Sequence, residues 1–144
     1  MHVGNYNLDI MKKLFIQSLF LFKKGFLHKK NTIICPANKF VITFFIKLIK
    51  LGYLNNISFC TDALRTNKQY IKIFYKYNQL GYSFNNIIIF STESRHYYKT
   101  YLQILILKKQ FNIGLLLFST SKGILTDLEI IREKIGGFLI CYIY

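Results

Sequence analysis

Tryptophan is absent from this chain of 144 residues, proline occurs once, and only six residues are acidic. Because the hydrophobic fraction is 52% and proline is rare, the chain can bury a core, which excludes wholesale disorder. Asp127 and Glu129 fit a helix start, and the other acids are scattered. The sequence contains no nucleophile elbow, no phosphate-binding loop and no histidine paired with a nucleophile. We therefore expect a protein that is not an enzyme, and hydrolase or nuclease chemistry is the class that these absences weigh against.

The three cysteines, Cys35, Cys60 and Cys141, lie far apart and form no Cys-x-x-Cys motif. The three histidines do not fall at the spacing of metal ligands either. We expect three reduced thiols that mostly pack, and we expect no metal and no cofactor.

A long uninterrupted apolar run is also missing, although a spanning helix needs roughly 20 apolar residues. The runs Leu14–Phe22, Phe40–Leu51 and Ile104–Phe118 are short or interrupted by polar residues, which predicts no membrane span. The first of them imitates a signal peptide, but Lys23 and Lys24 follow it where a cleavage site needs small residues.

Positive charge is abundant, with 20 Lys and Arg and a formal net charge of +14. Between Lys12 and Lys50 there are nine lysines and no acid. Such a run repels itself, so a polyanionic partner is expected, because each phosphate that a lysine neutralises releases counterions. RNA and an anionic membrane surface both satisfy this charge.

Apolar periodicity and capping residues predict an α-β-α-β-β order for residues 1–77. The predicted elements are a helix through Phe15, Leu19 and Phe22 that stops at Gly25, a strand Asn31–Cys35 ended by Pro36, a helix Lys39–Leu51 capped by Asn38, and paired strands Tyr53–Phe59 and Tyr70–Tyr77. In the last strand, Ile71, Ile73 and Tyr75 alternate with Lys72, Phe74 and Lys76, which predicts one covered and one basic face.

Residues 78–86 are polar and contain glycine, which is typical of a linker, and a second domain is predicted over residues 87–144. Its predicted elements are strands at Ile87–Phe90, Tyr101–Lys108, Gly114–Phe118 and Phe138–Tyr144, and a short helix that starts at Thr126. Thr126 and Glu129 have the spacing of a capping box. The expected fold class is thus α+β, with a C-terminal unit that is mainly antiparallel β with a short helix.

Between the last two predicted strands lies a small polar loop, Ser119-Thr120-Ser121-Lys122-Gly123. Thr126-Asp127, Gly136-Gly137 and Cys141-Tyr142 follow it in that order. This segment of about thirty residues resembles, without a gap, the C-terminal end of the small-ribosomal-subunit protein eight family. Weaker similarities lie upstream, at Lys23-Lys24-Gly25, Pro36, Lys39, Gly52-Tyr53, Ser94-Arg95-His96-Tyr97, Lys99 and Tyr101.

The resemblance implies two small α/β domains packed together, which bind a helical region of small-subunit rRNA mostly through the C-terminal domain. It also implies a role in assembly of the small subunit, without catalysis. Hydroxyls of Ser119 and Ser121 would reach 2′-hydroxyls or base edges, Thr120 would bind a phosphate, Lys122 would supply charge and Gly123 would allow close approach. The other residues expected to contact RNA are Ser94, Arg95, Lys99, Lys23, Lys24 and Lys39.

The expected partners are small-subunit rRNA and neighbouring ribosomal proteins, without a small-molecule substrate. Heavy use of Asn, Ile, Lys, Phe and Tyr, whose codons are AT-rich, favours an organellar genome, and we expect the mitochondrial matrix rather than a plastid. The absence of an Arg- and Ser-rich presequence fits synthesis inside the organelle. An alternative is a basic amphipathic protein that binds nucleic acid or a membrane surface outside the ribosome.

Overall fold

The computed structural model describes residues 2–61, 69–79, 81–92 and 95–144, and for residues 2–12, 61 and 78 it describes the backbone alone. The helices of this part are α1 (His2–Leu27), α2 (Lys39–Lys50), α3 (Tyr101–Gln110) and α4 (Asp127–Glu133). The strands are β1 (Thr32–Ala37), β2 (Leu54–Thr61), β3 (Gln69–Tyr75), β4 (Tyr77–Asn78), β5 (Gly81–Tyr82), β6 (Ile87–Ile89), β7 (Tyr97–Lys99), β8 (Leu115–Thr120), β9 (Gly123–Thr126) and β10 (Gly137–Ile143). Helices and antiparallel sheets occur together, so the predicted α+β class is confirmed.

The chain divides into two compact units, Met1–Ser83 and Phe84–Tyr144. The N-terminal unit has a three-stranded antiparallel sheet in the order β1-β3-β2, with α1 packed on β1 and α2 on β2. The predicted alternation in β3 is confirmed, because Ile71, Ile73 and Tyr75 are buried whereas Lys72 and Phe74 are partly exposed.

Aromatic rings fill much of this unit's core. Phe15 and Phe22 of α1 contact Phe44 and Phe45 of α2, with ring centroids 5.0 and 5.4 Å apart. The ring of Tyr75 stacks on that of Phe22, with centroids 5.2 Å apart. The hydroxyl of Tyr75 donates a hydrogen bond to the backbone carbonyl oxygen of Phe22. Rings of this size supply most of the apolar area that a small core buries.

The predicted second helix is confirmed, with Asn38 as its N-cap and Leu51 as its C-cap. The side-chain oxygen of Asn38 accepts a hydrogen bond from the amide of Val41 at 2.9 Å, which satisfies a free donor of the first turn. Gly52 follows with φ of 88°, a conformation that favours glycine.

The predicted stop of α1 at Gly25 is wrong, because the helix continues to Leu27. A Cβ on Gly25 would lie 2.5 Å from the hydroxyl oxygen of Tyr75 and would also collide with Cγ2 of Ile33. Glycine is therefore needed there for close packing of α1 on the sheet. The helix ends in a Schellman motif: Lys29 has φ of 55° and Lys30 donates its amide proton to the carbonyl of Gly25 at 3.0 Å.

Pro36 was predicted to end the first strand, but β1 runs through it to Ala37. In the described sheet β1 lies at the edge, where a residue without an N–H is tolerated. The carbonyl oxygen of Pro36 accepts a hydrogen bond from the hydroxyl of Ser18 at 2.8 Å, which joins this edge to α1.

The C-terminal unit has a sheet in the order β6-β10-β8-β9, and β7 also pairs with β10. Its core cluster combines residues of the sheet with residues of α3 and α4, namely Ile104, Leu116, Phe118, Ile130, Leu139 and Tyr142. The predicted capping box is confirmed at the start of α4, where the backbone amides of Thr126 and Glu129 each bond the side chain of the other.

The strand predicted at Tyr101–Lys108 is wrong, because this segment is the helix α3. A continuous apolar run is compatible with a strand or a buried helix, and its N-terminus decides between them. Thr100 accepts the amide proton of Gln103 at 3.4 Å, and the side chain of Gln103 accepts that of Thr100 at 2.9 Å. This second capping box starts the helix.

Candidate nucleic-acid interface

The polar loop of the sequence, Ser119 to Gly123, is the tip of a β-hairpin formed by β8 and β9. Ser119 pairs with Ile124 and Thr120 with Gly123, so only Ser121 and Lys122 lie in the turn. Gly123 has φ of 104°, while both turn residues have negative φ, as in a type I turn followed by a G1 bulge. The strand β9, missed by the sequence prediction, therefore projects the turn beyond the sheet.

The hydroxyl of Thr120 shapes this turn. It donates to the carbonyl oxygen of Gly123 at 2.7 Å and accepts the amide proton of Lys122 at 3.1 Å. Its donor capacity is therefore used within the chain, whereas Ser121 is exposed and Ser119 half-buried. Among the described residues neither serine has a side-chain hydrogen bond, so their hydroxyls are the ones that a ligand can engage.

Lys122 is exposed at the tip, and its ammonium lies 2.7 Å from Oε2 of Glu133 in the last turn of α4. The hydrogen bond and charge of Lys122 hold the pKa of the Glu133 carboxyl below its ordinary value. Exposed pairs of this kind contribute little to stability, so a ligand phosphate can compete for the lysine.

The hairpin and a second predicted segment lie on opposite sides of the same end of β10. Phe138 pairs with Ser119 of β8 and with Tyr98 of β7, and Gly137 pairs with Lys99. A Cβ on Gly137 would lie 2.8 Å from Cγ2 of Thr120, so glycine permits this close approach. The sheet thus brings the predicted residues Ser119 and Lys99 to the same end of its strands. We name this end of the sheet, together with the turn Ser121-Lys122, the hairpin edge.

Two aromatic residues at this edge escaped the sequence prediction. Tyr98 is 55% exposed and Phe138 is 39% exposed, and their ring centroids lie 5.2 Å apart in an edge-to-face arrangement. Phe138 is the one exposed residue of β10, which is otherwise buried. An exposed aromatic pair beside hydroxyls and a lysine can stack on an unpaired base.

Arg95 is exposed, and its backbone amide donates to the hydroxyl of Thr92 at 3.1 Å. Ser94 lies outside the described residues. Of the predicted lysines in the N-terminal unit, Lys23 and Lys24 lie near the end of α1, and Lys39 is the first residue of α2. A cation at a helix N-terminus opposes the helix dipole, so the position of Lys39 does not serve helix stability.

Electrostatics differ between the units. The segments 13–60 and 69–79 contain ten lysines and no acid. In the C-terminal unit, Lys108 pairs with the buried Asp127 at 3.0 Å and Lys122 pairs with Glu133. The N-terminal unit therefore presents the less compensated positive surface among the described residues.

Within the described ranges, no helix is long and apolar enough to cross a membrane. The same ranges contain no group of three or more His, Cys, Asp or Glu side chains that could hold a metal ion.

Comparisons with known proteins agree on one family. The family model described as "Ribosomal protein S8" matches residues 18–144. The chain is 28% identical to the "Small ribosomal subunit protein uS8" of Pyrobaculum islandicum, over 95% of this chain and 98% of that protein. It is 25% identical to the protein of that name from Sulfolobus acidocaldarius, over 86% and 90%. The corresponding protein of Buchnera aphidicola subsp. Baizongia pistaciae is 29% identical, over 83% and 87%.

The match of the family model covers most of the chain, and it includes α2, the hairpin and β10 with Gly136-Gly137. The matched regions cover nearly the whole length of these relatives, so the similarity is not confined to one short motif. The chain therefore belongs to the ribosomal protein S8 family.

Proposed function

We propose that this chain is a structural constituent of the small ribosomal subunit, that it binds small-subunit rRNA and that it helps the subunit assemble. The hairpin edge of the C-terminal unit carries the proposal. There the exposed turn Ser121-Lys122, the half-buried Ser119 and the exposed pair Tyr98 and Phe138 share one end of the sheet. Family membership supports rRNA as the ligand of this edge.

The chemistry of the edge suits irregular RNA. An A-form helix hides its major groove, so proteins contact its 2′-hydroxyls and phosphates or the unpaired bases of bulges and loops. Serine hydroxyls donate to and accept from such groups, Lys122 supplies charge and the aromatic pair offers a stacking surface. Catalysis forms no part of the proposal.

Ribosomal neighbours are the second part of the proposal. Leu102, Ile106 and Ile113 of the C-terminal unit are 69%, 60% and 83% exposed, which is unfavourable for a chain that stays alone in water. We propose that neighbouring small-subunit proteins cover part of this apolar surface. We also propose a mitochondrial ribosome, with a plastid as the alternative, and the support for it is only the heavy use of amino acids whose codons are AT-rich.

Sedimentation of the tagged chain from cells of its source tests the function and the location together. The result expected is co-migration with mitochondrial small subunits and co-purification of their rRNA. A hairpin variant, Ser119→Ala/Ser121→Ala/Lys122→Ala, should shift the chain to the top of the gradient, whereas the exposed control Lys109→Ala should not. Recovery with membranes, or with nucleic acid outside the ribosome, would contradict the proposal.

A further inference from the structure

Two adjoining surface cavities lie along the β1 edge of the N-terminal sheet. The first has a volume of about 390 Å³ and is lined by Lys24, Lys30, Lys72 and Thr32, among others. The second, of about 360 Å³, is lined by Thr32, Phe74, Lys76 and Tyr77, among others. Thr32 lines both cavities, so they adjoin at this residue, and we name the two together the β1 groove.

The backbone fixes the groove. Strand pairing places Thr32 opposite Phe74 and Ile34 opposite Lys72, so these four residues share the sheet face that α1 and α2 do not cover. The close approach of α1 at Gly25 brings the neighbouring Lys24 to the same edge.

The backbone of Lys30, which also lines the groove, is held in place on two sides. The Schellman motif at the end of α1 holds its amide on the carbonyl of Gly25 at 3.0 Å, and the hydroxyl of Tyr82 donates to its carbonyl oxygen at 3.1 Å. Its backbone is therefore anchored on both sides, and only its side chain is left to adjust to a ligand.

The charge of the groove is uncompensated. Lys24, Lys30, Lys72 and Lys76 line it, and the described side chains of the N-terminal unit include no carboxylate. The ammonium of Lys72 instead lies 5.5 Å from the ring centroid of Phe74, a cation–π contact. Such a contact leaves the lysine able to move to a phosphate and leaves the ring able to stack on a base.

Aromatic surface lies beside these charges. Tyr77 is 54% exposed and Phe74 is partly exposed, and both line the second cavity. A lysine face that is merely solvated needs neither a cavity nor exposed rings. Cations that follow a backbone, next to rings on which bases stack, are instead the arrangement of a single-strand nucleic-acid site.

We propose that the β1 groove binds a single-stranded RNA segment, with backbone phosphates on Lys24, Lys30 and Lys72 and a base stacked on Phe74 or Tyr77. This is a second site, in a different unit from the hairpin edge, and it rests on the proposed function only in taking RNA as the ligand. Duplex RNA keeps its bases stacked inside the helix, so it cannot use the rings.

The test measures binding of an unstructured oligoribonucleotide of about eight nucleotides, a length within the range of such sites. The purified full chain is compared with Phe74→Leu/Tyr77→Leu, with Lys30→Gln/Lys72→Gln and with the exposed control Lys109→Gln. We expect the aromatic variant to bind about tenfold more weakly, because base stacking is lost. The lysine variant should lower the salt slope by about 1.4, since each phosphate contact with a single strand contributes about 0.7.

Circular dichroism identifies any variant that does not fold. If the aromatic variant does not fold, the variant Lys30→Gln/Lys72→Gln still decides the test. Unchanged affinity in a folded groove variant, an equal loss in Lys109→Gln, or equal binding of a blunt RNA duplex would overturn the proposal. Equal displacement of the oligonucleotide by polyglutamate would overturn it as well, because the groove would then be a general site for acidic proteins.

The hairpin variant separates this inference from the proposed function. It should bind the oligonucleotide normally and lose binding to a helical rRNA fragment, whereas the groove variants should show the reverse. Loss of both activities in the hairpin variant would overturn the existence of a separate groove site. A groove variant that keeps both its rRNA binding and its oligonucleotide binding would overturn the proposed groove site alone and leave the proposed function standing.

Discussion

The ammonium of Lys122 lies 2.7 Å from Oε2 of Glu133, so the cation at the hairpin tip is already paired within the chain. The pair orients the tip toward the last turn of α4 and places a negative charge where RNA is proposed to bind. The pKa of Glu133 is lowered by this contact, so the carboxylate is charged at neutral pH. The pair persists above the ordinary carboxyl pKa and is lost only as the pH falls through the lowered value.

Replacing Glu133 by glutamine should therefore strengthen RNA binding. The variant frees Lys122 and removes a repulsive charge, and because an exposed ion pair is weak, the gain in affinity should be modest, about two- to fivefold. The check is a filter-binding titration at neutral pH. In a Lys122→Ala background the same substitution should give a smaller gain, and an equal gain there would show that Lys122 is not the cation concerned.

Gly25→Ala should destabilise the N-terminal unit by about 1–3 kcal/mol, because the new Cβ collides with Ile33 and with the hydroxyl of Tyr75. An ordinary helical glycine would respond in the opposite direction, with a gain of about 0.5–1 kcal/mol. Urea unfolding measures the sign. An Ile33→Ala background removes one of the two colliding atoms and should reduce the loss.

Lys108→Met should destabilise the C-terminal unit by about 3 kcal/mol, the low end for removing one partner of a buried ion pair, because Lys108 itself is partly exposed. Asp127 is fully buried and its carboxylate lies 3.0 Å from the ammonium of Lys108, so the substitution leaves a buried charge without its cation. Thermal unfolding checks this, with the exposed neighbour Lys109→Met as the matched control. Adding Asp127→Asn to Lys108→Met should recover part of the loss, and no recovery would show that the ion pair is not the cause.

The three thiols should differ in reactivity. Burial raises the pKa of Cys35 to about 11 and also raises that of Cys141, and both side chains are fully buried, whereas Cys60 is partly exposed. A chromogenic disulfide reagent at pH 8 should modify one thiol quickly in the native chain and three in denaturant, because the thiolate is the reactive form. Fast native reaction in a Cys60→Ser variant would contradict this assignment.

Capping residues in the sequence correctly predicted where several helices begin or end. Asn38 and Gly52 bracket α2, and the box of Thr126 and Glu129 starts α4, because caps act through the backbone of neighbouring residues. The second box, Thr100 with Gln103, carried the same signal and would have identified α3 as a helix. Gly25 misled because a glycine after lysines is typical of a helix end, whereas here a contact distant in sequence requires it.

The candidate site was only partly predictable. Residues of the hairpin tip are contiguous, so resemblance to a family motif sufficed to find them. Tyr98 and Phe138 became candidates only through strand pairing, because Phe138 of β10 pairs with Tyr98 of β7 and with Ser119 of β8, which are distant from it in sequence. The β1 groove likewise needs the register that sets Thr32 opposite Phe74, and no sequence period contains that register.

The central claim is that the hairpin tip holds small-subunit rRNA, and equilibrium binding of the purified chain to a set of small-subunit rRNA fragments tests it most directly. Each fragment is titrated over a salt series with the native chain, the hairpin variant and Lys109→Ala. The account predicts tight binding to one helical fragment that survives competitor RNA, is weakened about 100-fold in the hairpin variant through three lost polar contacts, and is unchanged in the control. Equal, steeply salt-dependent binding to all fragments by all three proteins would contradict it, because charge alone would then account for the affinity.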